Sequence, residues 1–206
     1  MPDAAGRMVP GALRDAWIQC PFVTATDPIP SRPGASEGDG GLPPVLVHRA
    51  RAADVRRIKE LVDCYAGTIL LEKTLANLFE DVTEFWVAEI DGRVMACGAL
   101  HVLWEDLGEI RTVATDPRAR GRGIGRAVCE AILQEARRMG LSRLFVLTFE
   151  VSFFAALGFV PIDELDLTPE AATELRASYD AGVAEFLDLP YVKPNTLGNT
   201  RMLKNL

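Results

Sequence analysis

The chain has 206 residues, which accommodates one domain, alone or with an extension. Its 49% hydrophobic and 25% charged content is ordinary for a soluble globular protein, so a core can form without metal ions or disulfide bonds. The formal net charge of −7 argues against nucleic acid as a partner, because phosphate binding needs a basic surface.

The sequence also argues against membrane and metal roles. It has no run of 18 apolar residues and no basic start followed by an apolar core, which predicts neither a membrane span nor a secretory signal. None of the four cysteines stands in a C-x-x-C pattern, and most lie in apolar surroundings, where a reduced thiol acts as a small hydrophobe. We therefore predict a cytoplasmic protein that contacts no membrane and binds no metal.

Residues 1–44 differ from the rest of the chain. Proline and glycine recur between Pro28 and Pro44 without a lasting apolar period, which predicts a disordered extension. Residues 45–206 are predicted to form one folded domain. It begins with a strand at 45–50.

Two helices are predicted next, each from a capping residue. Asp54 is expected to cap a helix that runs to about Ala66, and Thr74 to cap a shorter helix through Glu80. A loop over residues 67–73 joins them. The helical spacing of apolar residues in the first helix predicts that one face is buried.

The middle of the domain is predicted to be a three-stranded antiparallel meander. Asp91-Gly92 is a hairpin dipeptide whose backbone twist matches that of its flanking strands. The strands are predicted at 85–90, 93–104 and 109–114. The later elements are predicted as a helix at 123–139, an apolar strand at 143–149, a short helix at 152–157, a strand from 159, a helix opened by Thr168 and Pro169, and a tail over 191–206.

A glycine-rich turn over residues 120–125 joins the meander to the long helix. A helix N-terminus leaves backbone N–H groups unpaired and carries partial positive charge, and glycines let a bulky anion approach the backbone. Arg120 and Arg122 add charge at the rim of the turn. The pattern favours a phosphate cradle over a tight connection that uses glycine for geometry alone.

Two other phosphate motifs do not fit this turn. A P-loop ends in Gly-Lys-Ser or Gly-Lys-Thr, which is absent here. A dinucleotide fingerprint has G-x-G-x-x-G spacing after a parallel strand, whereas this turn has G-x-G-x-G spacing after antiparallel strands.

The turn resembles the R/Q-x-x-G-x-G/A pyrophosphate motif of the GNAT family of N-acetyltransferases. Residues 154–159, Phe-Ala-Ala-Leu-Gly-Phe, resemble the second acetyl-CoA segment of that family, and the order of elements over 45–161 agrees. The resemblance implies an α/β (α+β) fold, in which a mixed, mostly antiparallel central sheet is flanked by helices. It also implies an acetyltransferase that uses acetyl-CoA as co-substrate.

Further segments resemble the short actinobacterial form of N-acetylglutamate synthase. They are residues 94–100, 107–110, 145–148, the loop 67–71 and the closing run 199–203. This likeness implies transfer of acetyl to the α-amine of glutamate, with glutamine as a plausible second substrate, as the first step of arginine biosynthesis. It also implies a possible homodimer.

The resemblance assigns roles to particular residues. Glu109 is the expected general base, acting directly or through water, and His101 is the alternative. The expected acetyl-CoA contacts are Val113, Ala114, Thr115, Arg120, Gly121, Arg122, Gly123, Ile124 and Gly125. The related synthases carry arginines where this chain has Glu72 and Gly198, so the resemblance leaves the carboxylate partners of the acceptor open. The remaining candidate acceptor contacts are Leu70, Lys73, Arg111, Thr112, Lys193 and Arg201.

One departure from the family pattern concerns the leaving thiolate. Many members carry a tyrosine that protonates it, and the matching residue here is Phe154, whose ring has no proton to donate. The acid therefore stays unassigned. Two further functions stay open, an acetyltransferase for another amine (a protein N-terminus, a polyamine or a drug) and a non-catalytic acyl-CoA sensor.

Overall fold

The computed structural model describes residues 44–163, 165–178 and 199–206. Apart from Pro44, the predicted extension lies outside this part of the chain, and so does Lys193. The helices are α1 (Val55–Asp63), α2 (Leu75–Glu80), α3 (Ile124–Arg138), α4 (Val151–Ala155) and α5 (Pro169–Arg176). The strands are β1 (Leu46–Arg49), β2 (Phe85–Ile90), β3 (Arg93–Val102), β4 (Leu107–Thr115), β5 (Arg143–Thr148), β6 (Val160–Pro161) and β7 (Thr200–Asn205).

Within the described residues, seven strands form one sheet in the order β1-β2-β3-β4-β5-β7-β6. Strands β1 to β4 are antiparallel neighbours, β5 is parallel to β4, and β7 lies antiparallel between β5 and β6. The predicted fold class, a mixed and mostly antiparallel sheet flanked by helices, is confirmed.

Both faces of the sheet are covered, because alternate residues of a strand point to opposite sides. Ala88 and Ile90 on β2 pack in the same cluster as the buried face of α3. Phe85 and Val87 on the same strand pack in a second cluster with α1. The sheet is therefore a central layer between α3 on one face and α1 on the other.

The Asp91-Gly92 hairpin forms as predicted. Asp91 has a φ of 50° and Gly92 a φ of 78°, the left-handed pair that a two-residue turn of this type requires. The turn joins β2 to β3, whose register runs from Ile90 opposite Arg93 to Phe85 opposite Ala99.

Two details of the central strands create a site. Strands β4 and β5 pair only from Leu107 opposite Arg143 to Glu109 opposite Phe145, so the strands are not paired beyond that point. In β4, Thr112 and Val113 lie opposite the single residue Gly98 of β3, which is a β-bulge. The parallel pair therefore opens on the side where β4 is irregular.

The three-stranded meander forms as predicted from β2, β3 and β4, with β1 paired to its edge, but two expectations about local structure were wrong. Asp54 does not cap α1 through its side chain, because its carboxylate accepts a hydrogen bond from the Arg51 N–H, 2.7 Å away, at the start of a preceding 3-10 turn. The tail contains β7, which was not predicted as a strand.

The described residues include two buried free thiols. Cys97 and Cys129 are buried free thiols, and burial raises the pKa of each to about 12. No helix of the described residues is long and apolar enough to span a membrane.

Candidate active site

A cavity of about 470 Å³ opens where β4 and β5 cease to pair. Its walls come from the second half of β4, the end of β5, the first turn of α3, the segment around α4, and the loop after α1. The charged side chains among its described lining residues are Arg111, Arg120, Arg126 and Glu150. The cavity is otherwise largely apolar, which suits an elongated ligand with a charged end.

The glycine turn forms one end of this cavity. Gly121 and Gly123 have φ values of 76° and 77°, a left-handed backbone that disfavours any residue with a side chain. A Cβ built at either glycine has no atom within 4 Å, so both face open space. Gly123 is the N-cap of α3, whose first turn has no acidic residue. The free first-turn N–H groups and the open space suit the pyrophosphate of coenzyme A.

Replacing Gly123 by valine is expected to raise the KM for acetyl-CoA by at least about tenfold. The left-handed backbone costs a branched residue about 1–2 kcal/mol, and the side chain enters the space before the helix. Gly92→Val is a matched control, because Gly92 has the same φ, nothing within 4 Å, and a place in a hairpin away from the cavity. Steady-state kinetics check this: equal KM values for both variants would contradict the cradle.

A buried ion-pair network holds the segment that leads into the turn. Asp116 is fully buried, and its carboxylate accepts hydrogen bonds from Arg57 at 2.6 Å and from the side chain and backbone N–H of Arg118 at 2.8–3.0 Å. Burial alone would raise the pKa of Asp116, but the Arg118 hydrogen bonds and both charges outweigh it, so the pKa is lowered. The network joins α1 to the start of the turn.

The β-bulge places a strained residue on the cavity wall. Thr112 has a φ of 57°, which is rare for a β-branched residue and costs strain energy. Cys97 on β3 donates a weak hydrogen bond from its thiol to the Thr112 carbonyl, at 3.8 Å. Both Thr112 and Val113 line the cavity. The bulge thus interrupts the β3–β4 ladder at the place where the resemblance expects amides to face a thioester.

Glu109, the predicted base, is buried, with 4% of its surface exposed. In the sheet register it lies opposite His101 on β3 and Phe145 on β5. Its neighbours Ile110 and Arg111 line the cavity, whereas Glu109 is not among the lining residues. A role as base therefore requires a water molecule between its carboxylate and the acceptor amine.

Arg111 belongs to a polar cluster with Glu84 and His101. The Glu84 carboxylate accepts from Arg111 at 3.0 Å and lies 2.8 Å from Nδ1 of His101, which is itself 2.9 Å from Arg111 Nη2. One ring nitrogen either donates or accepts, so a given protonation state of His101 forms only one of its two bonds. Burial would raise the pKa of Glu84, but the His101 hydrogen bond and the Arg111 charge lower it overall.

The other predicted acceptor residues are placed unequally. Leu70 lines the cavity, as Arg111 and Thr112 do. Lys73 forms an ion pair with Asp81 at 2.9 Å, and neither is a lining residue. Arg201 lies on β7 opposite Leu147 and is not among the lining residues either. The structure therefore brings three of the six candidates to the cavity, and Lys193 lies outside the described residues.

Seven of the nine predicted acetyl-CoA residues line the cavity. The exceptions are Ala114, which is buried in the cluster with α1, and Arg122. Arg120 also forms an ion pair at 3.2 Å with Glu150, a lining residue between β5 and α4 that was not predicted from the sequence. This pair joins the glycine turn to the opposite wall.

Two aromatic residues on the cavity wall differ in chemistry. Phe154 is buried in edge-to-face contact with Phe153 and Phe159, at centroid distances of 5.1 and 5.5 Å, and offers no proton. Tyr65, which was not among the predicted site residues, donates its hydroxyl to the Thr115 carbonyl. A tyrosine on a buried helix face needs a hydrogen-bond partner for its hydroxyl, and this need is the sequence feature that could have pointed to Tyr65.

The fold and the glycine turn are those of an acetyltransferase. The profile of the Acetyltransferase (GNAT) family matches residues 49–160, more than half of the chain, and the chain belongs to this family. The predicted enzyme class, an acyltransferase, is therefore confirmed, and acetyl-CoA is its co-substrate. Among the described residues no group of three or more histidine, cysteine, aspartate or glutamate side chains could hold a metal ion.

The chain is similar to particular acetyltransferases. It is 61% identical over 161 residues to an amino-acid acetyltransferase of Mycobacterium tuberculosis, covering 77% of this chain and 92% of the relative. The crystal structure of Rv2747 from M. tuberculosis, in complex with CoA and NLQ, matches with a TM-score of 0.76 and 60% identity over 78% of this chain and 99% of that one.

A more distant similarity reaches longer enzymes. An N-acetylglutamate synthase of Neisseria gonorrhoeae, in complex with coenzyme A and N-acetyl-glutamate, matches with a TM-score of 0.63 and 26% identity over 81% of this chain. The match covers only 36% of that synthase. The Escherichia coli K12 amino-acid acetyltransferase is 33% identical over 63% of this chain and 30% of its own length.

Proposed function

We propose that the protein transfers the acetyl group of acetyl-CoA to the α-amine of an amino acid, with L-glutamate as the principal acceptor and L-glutamine as a second one. The reaction would be the first step of arginine biosynthesis. The proposal rests mainly on one observation: the glycine-rich anion cradle and Arg111 line the same cavity. An arginine is suited to bind a carboxylate.

The named relatives support this acceptor class. The amino-acid acetyltransferase of M. tuberculosis is similar over most of both chains, which makes a shared substrate class a reasonable inference. The gonococcal synthase, which was crystallised with N-acetyl-glutamate, has a similar domain. Similarity of fold alone would not support a substrate, since one fold hosts many chemistries.

The chemistry needs a neutral amine and a stabilised oxyanion. Acetyl-CoA supplies an acyl thioester that is open to attack. Glu109, through a bridging water, would accept the proton that the acceptor amine loses. The amide of Val113, freed from regular pairing at the bulge, would donate to the oxygen that gains charge. Phe154 leaves the thiolate without a protein acid at that position, so its proton would come from water or from the substrate amine.

The acceptor can be tested with a panel of amines. Thiol release from acetyl-CoA is measured with each of the twenty amino acids, a polyamine and a peptide with a free N-terminus. We expect the highest kcat/KM with glutamate or glutamine. Preference for the polyamine or the peptide would indicate a different amine acetyltransferase. Binding of acetyl-CoA without thiol release for any amine would indicate an acyl-CoA sensor.

Replacing Arg111 by glutamine is expected to raise the KM for the amino acid by about 10–100-fold. A hydrogen bond to a charged group is worth about 1.5–3 kcal/mol, and the amide keeps part of the shape but no charge. The KM for acetyl-CoA should stay within about twofold. Arg143→Gln is the control, because Arg143 pairs with Asp106 and does not line the cavity. An unchanged amino-acid KM in the Arg111 variant would remove it from the acceptor site.

A further inference from the structure

Tyr65 lies between two parts of the cavity wall, the loop that follows α1 and the glycine turn before α3. It follows α1, has 4% of its surface exposed, and lines the cavity. The resemblance gives this residue no role. Its backbone carbonyl accepts hydrogen bonds from that loop, and its hydroxyl donates a hydrogen bond at the end of β4, near the glycine turn.

The Tyr65 backbone organises the loop over residues 67–70, here named the acceptor loop. The Tyr65 carbonyl accepts hydrogen bonds from the N–H groups of Ile69 and Leu70, both at 3.1 Å, and of Thr68 at 3.3 Å. The Thr68 hydroxyl donates to the same oxygen at 2.9 Å. Gly67, with a φ of 76°, lets the chain fold back. These bonds place Ile69 and Leu70 on the cavity wall.

The Tyr65 side chain reaches the end of β4, close to the glycine turn. Its hydroxyl donates to the carbonyl of Thr115, the last residue of β4. Thr115 in turn packs on the first turn of α3, since a Cβ built at Gly125 would lie 2.8 Å from Thr115 Oγ1. A continuous set of contacts therefore runs from the acceptor loop through Tyr65 and Thr115 to the glycine turn.

We propose that Tyr65 is a positioning residue that couples the acceptor loop to acetyl-CoA binding at the glycine turn. The inference rests on the proposed function in taking residues 67–70 as part of the acceptor site. Coenzyme A in the cavity would pack against Tyr65 and Thr115, which both line it, and would hold the hydrogen bond between them in place. The cofactor thereby stabilises the loop that receives the amine.

Tyr65 does not act as the acid that Phe154 fails to supply. Burial, the largest influence, raises the pKa of its hydroxyl, so the proton is held more tightly than in an exposed tyrosine. That proton is also engaged with the Thr115 carbonyl. The hydroxyl thus stays a hydrogen-bond donor across the pH range in which the enzyme would work.

Hydrogen exchange of the acceptor-loop amides tests the coupling. In the unaltered protein, saturating coenzyme A is expected to slow exchange at Thr68, Ile69 and Leu70. Tyr65→Phe removes a hydrogen bond worth about 1 kcal/mol, so this slowing should fall by about fivefold. Because coupling between two sites is reciprocal, the variant should raise both the amino-acid KM and the dissociation constant of coenzyme A by up to about fivefold.

Two comparisons separate coupling from a loss of stability. Exchange is referenced to the amides of β2 and β3, which report global unfolding. Thr68→Val removes only the hydroxyl bond to the Tyr65 carbonyl, so it should loosen the loop with and without coenzyme A but keep the ligand-dependent slowing. Equal slowing in Tyr65→Phe and the unaltered protein would overturn the proposal. The exchange test uses coenzyme A alone, so it holds even if the amine panel rejects glutamate and glutamine.

Discussion

Replacing Glu109 by glutamine is expected to lower kcat by about 10²–10⁴-fold, the range that general acid–base catalysis contributes. Glutamine has nearly the same shape but cannot accept the proton that the acceptor amine loses. The KM for acetyl-CoA should change little, because Glu109 does not line the cavity. Steady-state kinetics with the best acceptor of the amine panel measure both quantities.

The pH dependence distinguishes a base from a structural carboxylate. More of the acceptor amine arrives neutral as the pH rises, so the defect of Glu109→Gln should shrink at high pH if Glu109 is the base. A structural role predicts the same defect at every pH. Glu105→Gln is the control, because Glu105 is exposed in the turn between β3 and β4. A kcat within twofold of the unaltered protein would exclude Glu109 as the base.

The second large effect concerns stability. Asp116→Ala is expected to lower the free energy of unfolding by about 3–5 kcal/mol, because it removes the buried carboxylate that Arg57 and Arg118 share. Urea unfolding measures the loss. Glu130→Ala is the matched control: Glu130 forms an exposed pair with Arg126, and such pairs are worth about 0–1 kcal/mol. Equal losses in both variants would contradict the role of the network.

Because the pKa of Asp116 is lowered, the free energy of unfolding is expected to fall at low pH. The pKa of Asp116 is lowered in the folded protein, so its contribution is fully present above the pKa of the unfolded carboxyl, about 4. It is lost as the pH falls through the lower folded pKa. Stability measured below about pH 4 should therefore fall more steeply in the unaltered protein than in Asp116→Ala.

Features set by local backbone chemistry could be predicted from the sequence. The Asp91-Gly92 hairpin follows from residues that tolerate a left-handed backbone. The glycine turn follows from a strand, three glycines and a helix in succession. The caps at Thr74 and Thr168 also form, each accepting from the backbone N–H three residues later.

Features that depend on distant partners could not be predicted. The residues of β7 form a strand because β5 and β6 lie on either side, more than 35 residues away in sequence. The cluster of Glu84, His101 and Arg111 depends on the register between β3 and β4 and on a helical turn before β2. Lys73 looked available for a carboxylate ligand, but it pairs with Asp81 and does not line the cavity, whereas Arg111 does.

The role of the cavity as an amino-acid acetyltransferase site has one direct test. The protein is incubated with acetyl-CoA that carries a ¹³C-labelled acetyl group and with glutamate or glutamine, and mass spectrometry follows the products. We predict an N-acetyl amino acid that bears the label, formed in equal amount with free coenzyme A. Coenzyme A released without a labelled acetyl amino acid, or no release with either acceptor, would contradict this function.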